Sequence, residues 1–191
     1  MNQKNLLEVD WSKIPAPSDD GGAAHLPGTK ILSVSLRATD GTAVDLSKLT
    51  GRTVVFAYPR TGEPGKISLV DDWDMIPGAR GCTPQTCSFR DLYTELKAAG
   101  AAQVFGLSTQ SSEYQTEMAE RLHLLFPVLS DEKLELTRAL NLPTMQVAGL
   151  TLIKRLALVI DDGRITHVFY PVFPPDRNAG DVLDWLKENP V

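Results

Sequence analysis

The sequence has little of what several classes of protein require. Only two of its 191 residues are cysteines and three are histidines, which is too few cysteines for a cysteine-only zinc site. No stretch approaches the roughly 18 uninterrupted apolar residues that a membrane span needs. The net charge of −5, without a basic cluster, argues against nucleic acid or an anionic membrane as a partner. These absences favour an ordinary soluble globular protein.

The first ten residues, Met1–Asp10, are polar and lack the apolar segment of a signal peptide. We therefore expect a cytoplasmic protein. Thiols in the cytoplasm are kept reduced, so a permanent structural disulfide is not expected there. Yet the only two cysteines, Cys82 and Cys87, lie five positions apart. Their spacing needs another explanation.

The length suits one domain with a sizeable core. Residues 1–28 are rich in Pro, Gly and Asp and predict an extended N-terminal arm, followed by a single domain over residues 29–191. Apolar runs and helical periodicity alternate along that domain, which predicts an α/β fold with a mixed central sheet flanked by helices. The expected strands are Ile31–Leu36, Thr53–Tyr58, Gln103–Leu107, Phe126–Leu129, Ala157–Ile160 and Ile165–Phe169. The expected helical segments are Leu46–Leu49, a helix from Cys82 to about Leu96, Glu113–Leu122, Leu134–Leu140 and Asp181–Lys187.

Residues 60–81 form a long loop in this scheme, and Cys82 lies where the loop gives way to a helix. Pro84 suits a first helical turn. The unpaired N–H groups and positive end of a helix stabilise a thiolate there. In one regular helix the Cα atoms of Cys82 and Cys87 would be about 8.6 Å apart, whereas a disulfide needs roughly 4.4–6.8 Å. Bond formation would require the first turn to unwind, which suits a catalytic cycle. The alternative is that both are small buried apolar residues.

Ordered blocks across the chain resemble the peroxiredoxins, specifically the Q-type (bacterioferritin-comigratory-protein) group. The similar segments are Asp40–Gly51, Val54–Pro59, Gly81–Asp91, Val104–Ser108, Phe126–Asp131, and Arg155 with the turn Asp161-Asp162-Gly163. The resemblance implies a thioredoxin-like fold and a thiol peroxidase acting on hydrogen peroxide and organic hydroperoxides. It makes Cys82 the peroxidatic cysteine and Cys87 the resolving cysteine. It also implies thioredoxin or glutaredoxin as reductant, no metal or other cofactor, and a monomer or homodimer.

Arg155 stands six residues before the predicted hairpin turn, as the family's arginine does. By resemblance its guanidinium lies beside the Cys82 sulfur, where it stabilises a thiolate and orients the peroxide. The alternative is an ordinary surface arginine at the start of a strand. Lys154 is the nearest competing cation, and we expect it to be solvated.

The chain departs from the family at the motif threonine three residues before the reactive cysteine. Ala79 stands there, and roughly fifteen extra residues separate Pro59 from Cys82. Thr61 would supply the hydroxyl if the insertion, residues 60–78, loops out after it. The other possibility is that Pro77 replaces the motif proline, and Thr83 or backbone amides serve the reacting oxygens.

Two rival functions stay open. A thioredoxin-type disulfide reductase is disfavoured because it requires a Cys-x-x-Cys spacing, whereas four residues separate the two cysteines here. A redoxin-like thiol sensor or binding protein, without rapid peroxidase turnover, is the other. Within the insertion, we expect Trp73 to pin the loop to the domain; the alternative is that it shapes the rim of a substrate site.

Overall fold

The central element is a seven-stranded mixed sheet, in a computed structural model that describes residues 9–191. The strands of the chain are β1 (Leu36–Ala38), β2 (Ala43–Val44), β3 (Arg52–Ala57), β4 (Gln103–Ser108), β5 (Val128–Ser130), β6 (Thr144–Val147), β7 (Leu150–Ile153), β8 (Leu156–Asp161) and β9 (Arg164–Phe169). The order in the main sheet is β2-β1-β5-β4-β3-β8-β9, and β6 and β7 form a separate hairpin. The predicted α/β architecture is confirmed.

The central strands of the sheet end at a common edge, and the residues around that edge can form a functional site. Strand β3, buried along its whole length, runs parallel to β4 and antiparallel to β8. This is the continuous apolar pattern of a strand covered on both faces. Ala57, the last residue of β3, pairs with both Leu107 and Leu156. The residue just before β8, Arg155, therefore lies at the carboxyl edge of β3 and β4.

Helices cover both faces of the sheet. They are α1 (Cys82–Asp91), α2 (Tyr93–Ala98), α3 (Ser112–Arg121), α4 (Glu135–Leu140) and α5 (Asn178–Glu188). On one face, α1 and α5 share an apolar cluster with β3, in which Phe56 stacks on Phe89 at 4.1 Å. Cys82 and Cys87 both belong to this cluster. None of the helices within residues 9–191 has the length and apolar character needed to cross a membrane.

Several predicted elements need correction. The expected strand Ile31–Leu36 is wrong, because regular pairing starts only at Leu36. Its apolar residues serve other contacts: Ile31 is buried and its N–H bonds to the Gly163 carbonyl, while Leu32 is 60% exposed. The expected single helix after Cys82 breaks at Leu92, between α1 and α2. The hairpin β6–β7 was not predicted at all.

The other predicted strands and helices occur with their ends moved by at most three residues. Leu46–Lys48 is a 3₁₀ turn, as expected for that short segment. Of the predicted arm, residues 1–8 lie outside the described part of the chain. Ala23 and Leu26, near its end, are buried in the cluster under the other face of the sheet. This part of the arm is therefore packed on the domain.

The insertion is anchored by its aromatic side chain. Trp73, in a 3₁₀ turn at Trp73–Met75, is 8% exposed. It packs with Ala79, at the end of the loop, and with Val147 and Leu152 of the β6–β7 hairpin. The prediction that Trp73 pins the loop is confirmed. This anchor places the last residues of the loop at the start of α1.

Candidate active site

Cys82 is the first residue of α1, and its thiol lies at the positive end of that helix. The preceding Gly81 has φ +106°, a conformation that glycine tolerates and other residues rarely adopt. A Cβ atom at Gly81 would come within 2.6 Å of Pro175 Cγ and 2.7 Å of Trp11 Cη2. Among residues 9–191 no side chain caps this helix end, so the first backbone N–H groups are available to an anion. The predicted placement of Cys82 is confirmed.

The guanidinium of Arg155 lies against the sulfur. Its Nη2 is 3.3 Å from Cys82 Sγ and 3.1–3.2 Å from the carbonyl oxygens of Gly78, Ala79 and Arg80. Arg155 is 3% exposed, so the alternative of a surface arginine is wrong. Within residues 9–191 no carboxylate is paired with it, and its partners are carbonyl, amide and sulfur atoms. The guanidinium therefore lies where it can donate to the Cys82 sulfur and to an anionic or polar group beside it.

Lys154, the competing cation, points elsewhere. Its ammonium binds the Asp20 carboxylate at 2.5 Å, and its side chain is 34% exposed. A cavity of about 110 Å³ borders both Lys154 and Arg155, with Pro17 of the arm and Gly78 of the loop among its other walls. Lys154 is therefore a partly exposed, ion-paired cation and not the solvated side chain that was expected, whereas Arg155 is buried.

Two residues that the sequence analysis missed complete the surroundings of Arg155. Its Nη1 donates to Gln85 Oε1 at 2.5 Å, and Gln85 Nε2 donates to Asn178 Oδ1 at 2.9 Å. Gln85 lies three residues after Cys82, so the two share a helix face, and this spacing was a usable signal. Asn178 begins α5 and had no comparable signal in the sequence.

Cys87 lies in the same helix as Cys82, as predicted, and both thiols are free and buried. Burial raises the pKa of the Cys87 thiol above its ordinary value of 9.0. In the reduced protein Cys87 is therefore protonated at neutral pH. The two cysteines have different environments, since Cys82 faces a guanidinium and Cys87 faces mainly apolar side chains.

Thr61 is buried, but the structure does not bring it into hydrogen-bond contact with Cys82. Its backbone N–H and its hydroxyl both donate to Gln110 Oε1, at 2.9 and 3.1 Å. The Tyr114 hydroxyl donates to the Thr61 carbonyl at 3.0 Å. At the motif position itself, the Ala79 carbonyl accepts a weak bond from the Cys82 thiol at 3.5 Å. The role expected for Thr61 therefore stays a prediction.

The N-terminal arm reaches the start of α1. Trp11 Nε1 donates to Asp176 Oδ2 at 2.9 Å, and the indole meets the ring of Phe173 edge-on at 6.0 Å. The same indole packs against the Gly81 backbone. Nothing in the sequence indicated where the arm would lie, because its contacts depend on the tertiary fold.

The sequence matches the Redoxin family over residues 26–183. It is 35% identical over 160 residues to peroxiredoxin Bcp of Escherichia coli, covering 81% of this chain and 91% of that protein. It is 33% identical over 162 residues to a putative chloroplastic peroxiredoxin Q of Oryza sativa subsp. indica, covering 84% and 66% respectively. The chain thus spans just under two thirds of the rice relative and nearly all of the bacterial one.

Solved structures show the same fold. Peroxidoxin BcpB from Mycobacterium tuberculosis matches with a TM-score of 0.69 and 27% identity, over 87% of this chain and 100% of that chain. PrxQ from Xylella fastidiosa matches with a TM-score of 0.68 and 22% identity, over 86% and 97%. The thioredoxin-like fold implied by the resemblance is confirmed.

Proposed function

The chain belongs to the Q-type peroxiredoxins, and we propose that it is a thiol peroxidase whose cycle runs through Cys82 and Cys87. One observation carries the assignment of the nucleophile. The Cys82 sulfur lies at the positive end of α1, 3.3 Å from the buried guanidinium of Arg155. Both features stabilise a thiolate, which is the nucleophilic form of cysteine.

In the peroxide step, the Cys82 thiolate attacks the terminal oxygen of the hydroperoxide and the O–O bond breaks. The leaving oxygen takes a proton and departs as water or an alcohol, and the sulfur becomes a sulfenic acid. Sulfur loses two electrons and the peroxide gains them. Arg155 stabilises the developing charge, and its Nε–H, which has no acceptor in the described part of the chain, is available to a peroxide oxygen.

In the resolving step, the Cys87 sulfur attacks the sulfenic acid, hydroxide leaves as water, and a disulfide forms. The Cα atoms of Cys82 and Cys87, about 8.6 Å apart in a regular helix, must first approach to disulfide distance. The first turn of α1 therefore opens, breaking the bonds from the Gln85 N–H to the Gly81 carbonyl and from the Thr86 hydroxyl to the Cys82 carbonyl. A dithiol protein, thioredoxin or glutaredoxin, then restores both thiols by exchange.

Three groups can replace the motif threonine: the Thr61 hydroxyl, the Thr83 hydroxyl or the backbone N–H groups at the start of α1. The contacts count against Thr61, because its hydroxyl already donates to Gln110. The variants Thr61→Val and Thr83→Val each remove a hydroxyl and keep the shape. A rate of peroxide reduction lowered by tenfold or more in one variant would assign the role to that threonine, and rates within about threefold of wild type in both would assign it to the amides.

The cycle needs a compartment that keeps thiols reduced, and we propose the cytoplasm. Purified reduced protein should consume hydrogen peroxide rapidly and continuously when thioredoxin or glutaredoxin is regenerated. A thiol sensor or binding protein would consume about one equivalent slowly and stop. A thioredoxin-type reductase would reduce protein disulfides and leave peroxide unchanged.

A further inference from the structure

A chain of buried polar side chains leads away from the reactive sulfur to the last helix. It runs from Cys82 through Arg155 and Gln85 to Asn178, and every member is at most 3% exposed. The links are Arg155 Nη2 to sulfur, Arg155 Nη1 to Gln85 Oε1, and Gln85 Nε2 to Asn178 Oδ1. The first three members belong to the site already described. Asn178 belongs to α5 and touches neither sulfur nor guanidinium by any described hydrogen bond.

The direction of each bond is fixed by chemistry. A guanidinium only donates, so Gln85 must present its oxygen to Arg155. The Gln85 amide nitrogen must then face Asn178, and Asn178 must present its oxygen. If the Gln85 amide turned over, its NH₂ group would face the guanidinium with no acceptor between them. An acceptor at position 178 therefore supports the Gln85 orientation that Arg155 requires, because it pairs the amide nitrogen on the other side.

One polar atom of Asn178 is paired and the other is not. Its Nδ2 group is buried and has no partner among residues 9–191, whereas its oxygen accepts from Gln85. Replacing Asn178 by leucine would remove the unpaired donor but would leave the buried Gln85 Nε2 group without an acceptor, which carries a similar cost. The oxygen is therefore the part of Asn178 that has a defined hydrogen-bonding task.

We propose that Asn178 is a positioning residue for the reaction of Cys82, acting through the orientation of the Gln85 amide on Arg155. This rests on the proposed function of Cys82 as nucleophile. When the Gln85 amide is fixed in this orientation, the Nη2 group of Arg155 stays in contact with the Cys82 sulfur. Without an acceptor at position 178, the buried Gln85 Nε2 group has no partner, so the Gln85 amide is held on one side only and its contact with the guanidinium weakens. Helix α5 thereby controls the reactivity of a cysteine on α1.

The direct test compares Asn178→Leu, which removes the acceptor, with Asn178→Asp, which keeps it. We expect Asn178→Leu to slow the single-turnover reaction of Cys82 with hydrogen peroxide about tenfold, the loss of roughly one good hydrogen bond. Asn178→Asp should restore the rate to within about threefold of wild type. Thermal unfolding checks the fold, and Asn178→Ala, which also lacks the acceptor, stands in if the leucine variant does not fold.

Two outcomes would overturn the proposal. One is a wild-type rate in Asn178→Leu, and the other is an Asn178→Asp protein as slow as the leucine variant.

Iodoacetamide alkylation of Cys82 across a range of pH, in a Cys87→Ser background, provides a readout that needs no peroxidase activity. Loss of positioning should move the alkylation profile of Asn178→Leu to higher pH, with Asn178→Asp close to the parent. If the wild-type protein fails to reduce peroxide, the proposed function is contradicted. The alkylation profile can still be measured in that case. An unchanged alkylation profile in Asn178→Leu would contradict the role of Asn178 alone.

Discussion

Replacing Arg155 by methionine removes the positive charge beside Cys82 and keeps a long side chain in the site. The wild-type guanidinium is 3.3 Å from the sulfur through Nη2, and it also holds the carbonyls of residues 78–80. Methionine can make none of these bonds. The substitution therefore removes the principal charged partner of the thiolate and loosens the loop that precedes α1.

The expected loss follows from the kind of bond removed. A charge-assisted hydrogen bond contributes about 1.5–3 kcal/mol, which corresponds to about 10- to 150-fold in rate. Two unit charges 4 Å apart attract by about 4 kcal/mol at an effective dielectric constant of 20, so the hydrogen-bond range does not overstate the electrostatic effect. We expect Arg155→Met to react with hydrogen peroxide 10- to 150-fold more slowly than wild type. Arg155→Lys should fall between them, because an ammonium keeps the charge and loses the planar fork.

The assay mixes reduced protein with hydrogen peroxide in a stopped-flow instrument and follows tryptophan fluorescence in a single turnover. Lys154→Met is the matched control, since it removes the adjacent cation, whose partner is Asp20. It should react within about twofold of wild type. An Arg155→Met protein that is folded and reacts at the wild-type rate would refute the role given to Arg155.

Other expectations follow from the start of α1. Amides of Gly81–Cys87 should lose protection from hydrogen exchange on disulfide formation, while Phe89 stays docked; equal protection in both forms would mean that the turn does not open. Trp11→Ala should speed disulfide formation, measured by quenched mass spectrometry, and lower the melting temperature by about 2–4 °C for each kcal/mol of packing lost; an unchanged resolving rate would show that the indole does not restrain the turn. In Cys82→Ser protein, folded Cys87 should alkylate only at higher pH than the denatured chain, because burial raises its pKa above 9.0. The stability that the protonated Cys87 contributes is present below its unfolded pKa and is lost as pH rises through the folded one, so stability that increases with pH in this range would contradict its burial.

The strongest local patterns predicted the centre of the fold and the reactive pair. The run from Thr53 to Tyr58 has the nearly continuous apolar pattern of a strand buried on both faces, and it forms β3 with its ends moved by one residue. Cys82 followed by Pro84 predicted a helix start, which is where α1 begins. Arg155 was identified by its resemblance to the family's arginine, which also precedes the hairpin turn, and pairing of β8 with β3 fixes its place in the structure.

Features that depend on distant contacts were not predictable. The alternation in Ile31–Leu36 looked like a strand, but the Ile31 N–H bonds to the Gly163 carbonyl in the turn before β9, and no local signal distinguishes the two arrangements. Thr61 was chosen by proximity to Pro59, whereas its hydroxyl is bound by Gln110, 49 residues further on. Asn178 joins the site from a helix almost a hundred residues after α1. Such contacts arise from packing of the whole chain and leave no periodicity in the sequence.

The central claim is that Cys82 attacks the peroxide and Cys87 resolves the product. Mass spectrometry after a pulse of hydrogen peroxide on Cys87→Ser and Cys82→Ser proteins tests it most directly. The Cys87→Ser protein should consume about one equivalent and stall with one added oxygen on Cys82, the mass of a sulfenic acid. The Cys82→Ser protein should consume none beyond the uncatalysed background. Undiminished turnover in Cys82→Ser, or a stalled oxygen on Cys87, would contradict the assignment.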